Sequence, residues 1–227
     1  MTAPQGALGP PRRDTIQGRA IRLEPLDEER HGAQLWAAVE GQDQLWTYMG
    51  YGPWPNETAF RAWLAERAKL DDPLSFAVVD QARGEAVGVV TLMRIDVANG
   101  CVETGHIFFS PKLQKTPGAS EAIYLLARTV FDDLNYRRFE WKCDSGNAAS
   151  QAAAKRFGFS HEGLFRQHMI VKGRNRDTAW FAMLDHEWPT RKAAFERWLA
   201  PDNFDAQGKQ AKSLAGHRQD VETELAG

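Results

Sequence analysis

The sequence predicts an α/β domain in which a β meander is followed by one β-α-β crossover within a mixed sheet. Three observations carry that reading. Short strand-like apolar runs occupy residues 19–26, 75–79, 86–95 and 102–109. The period then becomes helical, with Ile123, Leu126, Ala127, Val130, Phe131 and Leu134 on one face. Finally, 227 residues of which 43% are hydrophobic and 26% charged suffice for one core without disulfides or metals.

The elements follow in order. Arg19–Leu26 alternates and forms a strand, and Asp27 caps a helix that runs to Val39. Leu45–Pro55, LWTYMGYGPWP, is an aromatic loop. Asn56 caps a second helix that carries Phe60, Trp63 and Leu64 on one side. The meander strands are separated by DQARGE and DVANG turns. An amphipathic helix spans 117–134, a strand 138–143 and an Ala-rich helix 147–157, which Gly158 ends. A hairpin, 164–171 and 178–184 around KGRNR, completes the set. Residues 1–17, rich in Pro and Gly, are expected to be disordered, 18–200 to form the domain, and 201–227 to be a polar tail that is mobile or weakly held as a helix.

Several function classes fall away. A net charge of −2 supplies no global basic field for nucleic acid. No apolar run approaches the roughly 20 residues that cross a bilayer, and Met1–Arg13 lacks the apolar core of a signal peptide, so a cytoplasmic protein is expected. Cys101 and Cys143 show no paired spacing and the six histidines no ligand pattern, so no metal site is expected.

Chemistry concentrates at two strand–helix junctions. In HIFFSPKLQKTPGASEAIYLL, Thr116 suits an N-cap and Pro117 the first helical position. Behind them the N–H groups of Gly118, Ala119 and Ser120 face outward at the positive end of a helix, which suits a pyrophosphate; a capped helix that binds nothing is the alternative. A substitution at Gly118, at a surface helix terminus, is expected to spare the fold. In DSGNAASQAAAKRFGF, Asn147 and Ser150 share one helix face, readable as a site or as a cap and a tolerated serine.

These residues, in order, resemble the GNAT superfamily of N-acetyltransferases, particularly its RimJ/RimL-like branch. The matching positions are Gln114 to Ala122, Asn147-x-x-Ser150, Arg156 to Phe159, Glu162-Gly163, Arg166, Gly173 to Thr178, and Leu184-x-x-Glu187-Trp188, across residues 19–190. The resemblance implies the GNAT fold, a mixed, mostly antiparallel sheet flanked by helices. It implies acetyl-CoA as cosubstrate, held by Phe108, Phe109, Gln114, Thr116, Gly118, Ala119, Ser120, Asn147 and Ser150. Pro117 departs from the family's glycine and removes one donor. Ala154 stands where many members carry a tyrosine.

The implied reaction moves acetyl to a primary amine of a small molecule, amino acid or peptide N-terminus. A GNAT-fold module that binds CoA or a ligand without efficient catalysis is the alternative. Ser150 is the candidate for stabilising the departing thiolate. Glu103 and His106, three apart on one strand, are expected on opposite faces. Resemblance favours Glu103 as the residue that polarises water or binds the amine; His106 has the better intrinsic basicity, or is a histidine hydrogen-bonded in the sheet. Backbone N–H groups at Ile107–Phe109 would polarise the acetyl carbonyl. Trp46, Tyr48 and Trp54 either wall the acceptor site or plug the core. Arg174, Arg176 and Asp177 are expected to be solvated turn residues, with Asp177 fixing the turn. A homodimer remains open.

Overall fold

The computed structural model describes residues 6–226. Eight strands form one sheet: β1 (Ile16–Gln17), β2 (Ile21–Pro25), β3 (Leu74–Asp80), β4 (Glu85–Asp96), β5 (Cys101–Phe109), β6 (Arg138–Asp144), β7 (Ser160–Val171) and β8 (Arg174–Leu184). Their order in space is β1-β2-β3-β4-β5-β6-β8-β7. Every neighbouring pair is antiparallel except β5 and β6, which the crossover makes parallel.

Two helices cover one face. Asp27 accepts from the Arg30 N–H and starts α1 (Glu28–Val39), and Asn56 accepts from the Ala59 N–H and starts α2 (Glu57–Ala68). Their apolar sides, led by Leu35, Phe60 and Leu64, are fully buried against Ala77, Val79 and Val89. Each such side chain contributes about 1.5–3 kcal/mol by burial.

The opposite face carries α3 (Pro117–Arg128), which continues into a π-helical turn at Thr129–Asp133, with α4 (Ala148–Phe157), α5 (Trp188–Leu199) and α6 (Leu214–Ala226). The sequence predicts an amphipathic helix over 117–134, yet every residue from Gly118 to Ala127 is buried. The reason is α5, which lies over the side of α3 that the sheet does not cover. Tyr124 donates to Glu196 at 2.9 Å, and Trp188 stacks on Phe131 while its indole donates to Asp132 at 2.7 Å.

The described residues at both ends are folded. Residues 201–227 were expected to be mobile or weakly held, but Leu214 and Val221 of α6 are buried, and Arg197 of α5 forms a two-pronged pair with Glu224 at 2.7 and 2.8 Å. At the N-terminus, residues 1–5 lie outside the described residues, but 6–17 follow a defined path. The Leu8 N–H donates to Leu134 and the Tyr136 hydroxyl to the Gly9 carbonyl, before Ile16 pairs with Leu23. Among the described residues, no helix is long and apolar enough to cross a membrane.

Candidate active site

The site begins where two strands part. β5 and β6 pair only from Cys101–Thr104 to Arg138–Trp141, although β5 runs on to Phe109 and β6 to Asp144. Between the separated ends opens a cleft of about 1050 Å³, bounded by the N-terminus of α3, by α4, by the 45–51 loop and by the β7–β8 hairpin.

At the α3 end, Thr116 N–H and hydroxyl both bond to the Leu113 carbonyl, and no side chain caps the helix. Pro117 has no N–H, and the helical repeat commits the Ser120 amide to the Thr116 carbonyl, so the open donors are Gly118 and Ala119. That corrects the expected set of three. Gly118 itself does not line the cleft: a Cβ there would lie 2.8 Å from Ile21 Cγ2 and 3.3 Å from Leu113 Cδ1. Its missing side chain makes room for β2 packing rather than for a phosphate, so a substitution there presses on Ile21, against the expectation of a free surface position. Beside these donors stands Arg156, whose guanidinium lies over Trp198 at 4.9 Å and donates to the buried Ser120 hydroxyl at 2.9 Å. Burial lowers the Arg156 pKa from its ordinary value, yet it forms no ion pair among the described residues. Gln114 donates to the Phe109 carbonyl at 2.8 Å and thereby fixes the loop that leads into α3.

At the α4 end, the Asn147 carboxamide accepts from the Ser150 N–H at 3.0 Å and caps the helix. The Ser150 hydroxyl oxygen accepts from the Trp141 indole at 3.0 Å. With that oxygen engaged as an acceptor, its hydrogen is left to be donated, and the buried Cys143 thiol lies beside it.

Glu103 and His106 share a face, contrary to the alternation rule. β5 carries one extra residue between Gly105 and Phe108, opposite Thr91 and Val89, and His106 sits in the left-handed region at φ 48°. The bulge resets the alternation: His106 reaches Tyr51 on the α2 side, while Ile107 and Phe109 pack with the α3 core. His106 Nδ1 lies 3.0 Å from the Tyr51 hydroxyl. Burial, then the charges of Arg67 and Arg94, push its pKa down to about 4, so the ring is neutral at pH 7. Burial likewise raises the Tyr51 phenol, which stays protonated. Glu103 is buried, and both Arg94 at 2.7 Å and Lys142 at 2.9 Å bind its Oε2, which leaves Oε1 available. Arg94 occupies a second bulge, in β4, whose Arg94 and Ile95 N–H groups Asp72 holds at 2.8 and 3.0 Å.

The aromatic loop divides. Trp46 is 2% exposed and meets Trp54 edge-on at 4.8 Å, and Trp54 in turn packs on Phe60 and Trp63. Neither lines the cleft, so both belong to the plug and not to an acceptor wall. Tyr48 lines it, with its hydroxyl donating to Gly146 at 2.9 Å, as does Tyr51. Asp177 fixes the hairpin by accepting from the Gln167 N–H at 2.7 Å, and Arg176, expected to be solvated, turns into the cleft.

Sequence reasoning missed Arg67, Arg94 and Lys142, and gave Arg156 as a matching position without a role. For Lys142 a signal existed: in RFEWKC, Phe139, Trp141 and Cys143 are buried on one side, which leaves Glu140 and Lys142 together on the other.

A family profile described as an acetyltransferase (GNAT) domain matches residues 20–160. A GCN5-related N-acetyltransferase from Brucella melitensis superposes with a TM-score of 0.92 at 49% identity, covering 95% of this chain and 98% of that one. YnaD of Bacillus subtilis (strain 168), named an uncharacterized N-acetyltransferase, is 32% identical over 67% of this chain and 89% of its own length. An acetyltransferase from Salmonella typhimurium, described as modifying the N-terminal serine of 50S ribosomal subunit protein L7/L12, shares the fold at TM-score 0.66 and 22% identity, over 75% of this chain and 99% of that one. With the parted strands, the open α3 terminus and these matches together, the chain belongs to the GNAT superfamily of N-acetyltransferases.

Proposed function

We propose that this protein transfers the acetyl group of acetyl-CoA to a primary amine of a small molecule, an amino acid or a peptide N-terminus. The observation that carries the reading is the cleft itself: anion donors at one end, a carboxylate with one open oxygen at the other, and parted strands between them. The α3 end fits a diphosphate, because the open Ala119 N–H lines the cleft there, next to the Gly118 N–H and beside Arg156, which has no ion-pair partner among the described residues. Gln114, Thr116 and Asn147 shape the approach, and the β5 backbone around Phe108 and Phe109 offers N–H donors for a thioester carbonyl.

In the reaction the amine nitrogen forms a bond to the acetyl carbon, the carbon–sulfur bond breaks and the sulfur leaves as a thiolate. Glu103 Oε1 receives a hydrogen bond from the amine and orients it, while its Oε2 stays with Arg94 and Lys142. The proton lost by the amine leaves through water at Glu103 Oε1 to solvent; a histidine held near pKa 4 is a poor final acceptor for it. Ser150 donates a hydrogen bond to the departing thiolate and keeps its proton, and the thiolate is then protonated from water. Dependence on acetyl-CoA supports a cytoplasmic site of action.

Thermal shift with acetyl-CoA followed by thiol release across an amine panel tests this reading. Ligand at 100 times its dissociation constant stabilises by about 2.7 kcal/mol. A shift with turnover supports transfer. Stabilisation without turnover on any amine favours the binding-module alternative, for which the N–H that Pro117 lacks is the supporting feature, and no shift overturns both.

A further inference from the structure

We infer that the acceptor amine carries a carboxylate and that Arg67 is the residue that holds it; this rests on the acetyl-transfer reading above. Arg67 projects from the last turn of α2 into the wall of the cleft, and it is half-buried. Its guanidinium lies 5.4 Å from the Tyr51 ring centroid and 5.7 Å from that of Trp63. Those two rings fix its plane. Among the described residues it forms neither an ion pair nor a hydrogen bond. Five N–H donors on a rigid, partly desolvated fork are therefore left for a ligand, and the fork matches a carboxylate two-pronged.

The charges around it point the same way. Six cationic side chains and two carboxylates line the cleft. Lys115 and Arg156 belong to the α3 end, which leaves Arg67, Arg94, Lys142 and Arg176 against Glu103 and Asp144. Glu103 is held by Arg94 and Lys142, and Lys142 is held again by Glu140 at 2.7 Å. Arg176 donates to Thr178 at 3.2 Å and has no carboxylate partner among the described residues. His106, next to Arg67 through Tyr51, adds no negative charge. An acceptor bearing only ammonium groups meets a surplus of like charge, whereas one with a carboxylate neutralises Arg67, whose guanidinium two rings hold with all its N–H donors open. The Arg67 side of the cleft is built from α2, on the face of the sheet opposite α3 and α4, so a phosphate bound at the α3 end is not its partner.

The carboxylate has two sources, the acid group of a free amino acid or an acidic side chain near a peptide N-terminus, and matched pairs separate them. The full chain is assayed with acetyl-CoA on L-methionine against L-methioninamide, and on amidated Ala-Asp against amidated Ala-Asn. Amidation of an amino acid lowers the basicity of its amine and so favours the amide chemically. A preference for the acid in the first pair is therefore a binding effect. We expect kcat/KM for the acid to exceed that of its neutral partner by roughly 10–100-fold in one pair, as a charge-assisted fork bond gives. The pair that shows it names the source. Arg67→Gln should bring that ratio to within about twofold of one, and Arg67→Lys, which keeps the charge without the fork, should leave an intermediate ratio. Neutral members preferred by the wild type, a ratio that survives in Arg67→Gln, or a raised KM for acetyl-CoA in that variant overturns the assignment. Acetylation of ethylamine but of neither acid also overturns it while sparing the transfer reading, and no acetylation of any amine overturns both.

Discussion

Ser150→Ala tests the chemistry most directly, because two separate consequences can be worked from one contact. The Ser150 oxygen accepts the Trp141 indole N–H at 3.0 Å, so the hydroxyl hydrogen is the one left for sulfur. The neighbouring Cys143 thiol, whose pKa burial raises while Ser150 opposes the shift, shows that the hydroxyl already lies beside one sulfur atom. Removing a hydrogen bond to a developing thiolate should lower kcat by roughly 10–100-fold, about 1.4–2.7 kcal/mol, with the acetyl-CoA dissociation constant nearly unchanged. Alanine is the better helix former by about 0.5 kcal/mol, which on sequence grounds alone suggests unchanged or higher stability. The structure reverses that sign. Trp141 is 6% exposed, and an indole N–H without its acceptor costs about 1–2 kcal/mol. The net loss of about 1 kcal/mol should lower Tm by roughly 2–4 °C. Stopped turnover at saturating amine, alongside calorimetry of the same preparation, reads both effects. Ser150→Thr, which keeps a hydroxyl, should recover part of kcat. Wild-type kcat in a folded Ser150→Ala protein would refute the role for Ser150.

Other expectations concern the frame. Glu121 of α3 accepts the N–H groups of Arg19, Ala20 and Ile21 at 2.6, 2.8 and 3.1 Å, so Glu121→Ala should cost about 3 kcal/mol or more in urea unfolding and Glu121→Gln, which keeps one acceptor oxygen, less; equal losses would argue against the carboxylate as anchor. Gly118→Ala should destabilise by about 1–3 kcal/mol through overpacking on Ile21, and an unchanged Tm would show that β2 yields freely. His106 has a folded pKa near 4 against 6.5 unfolded, so the unfolded chain binds the extra proton between those values and stability falls as pH drops from about 6.5 to 4. The loss integrates to about 3 kcal/mol, and His106→Phe should show a correspondingly shallower decline over that window; parallel curves for the two proteins would place the ring in a more solvated setting.

The fold was legible wherever chain-local rules decide it. Asp27 and Asn56 cap the helices they were expected to cap, because a cap is a contact across three residues. Gly158 ends α4 at φ 94°, a conformation that glycine alone adopts without strain. What the sequence hid lies in long-range packing. The C-terminal segment looked polar because α6 buries only Leu214 and Val221 and otherwise holds itself by ion pairs such as Arg197 with Glu224. The same blindness made α3 look amphipathic, since the residues that cover its second side lie about 70 positions away in α5.

The site was legible as a list of places and not as a set of roles, and β5 shows why. Period-two alternation assigned Glu103 and His106 to opposite faces, and one inserted residue, with His106 at φ 48°, brings them to the same one. No local pattern marks a histidine for that conformation. The parallel register then sets Glu103 directly against Glu140, two carboxylates that cannot share a dry face unless cations intervene. Lys142, its side chain 5% exposed and 3.7 Å from the Trp180 ring, bridges them, and Arg94 is delivered to Glu103 by a second bulge that Asp72 pins. Glu103, Arg94 and Asp72 come from β5, β4 and the loop before β3, so spacing along the chain shows only the Glu140 and Lys142 pair of β6. The proposed role of Glu103 rests on that arrangement: a carboxylate that two cations grip by one oxygen has its other oxygen left for the amine of the proposed reaction.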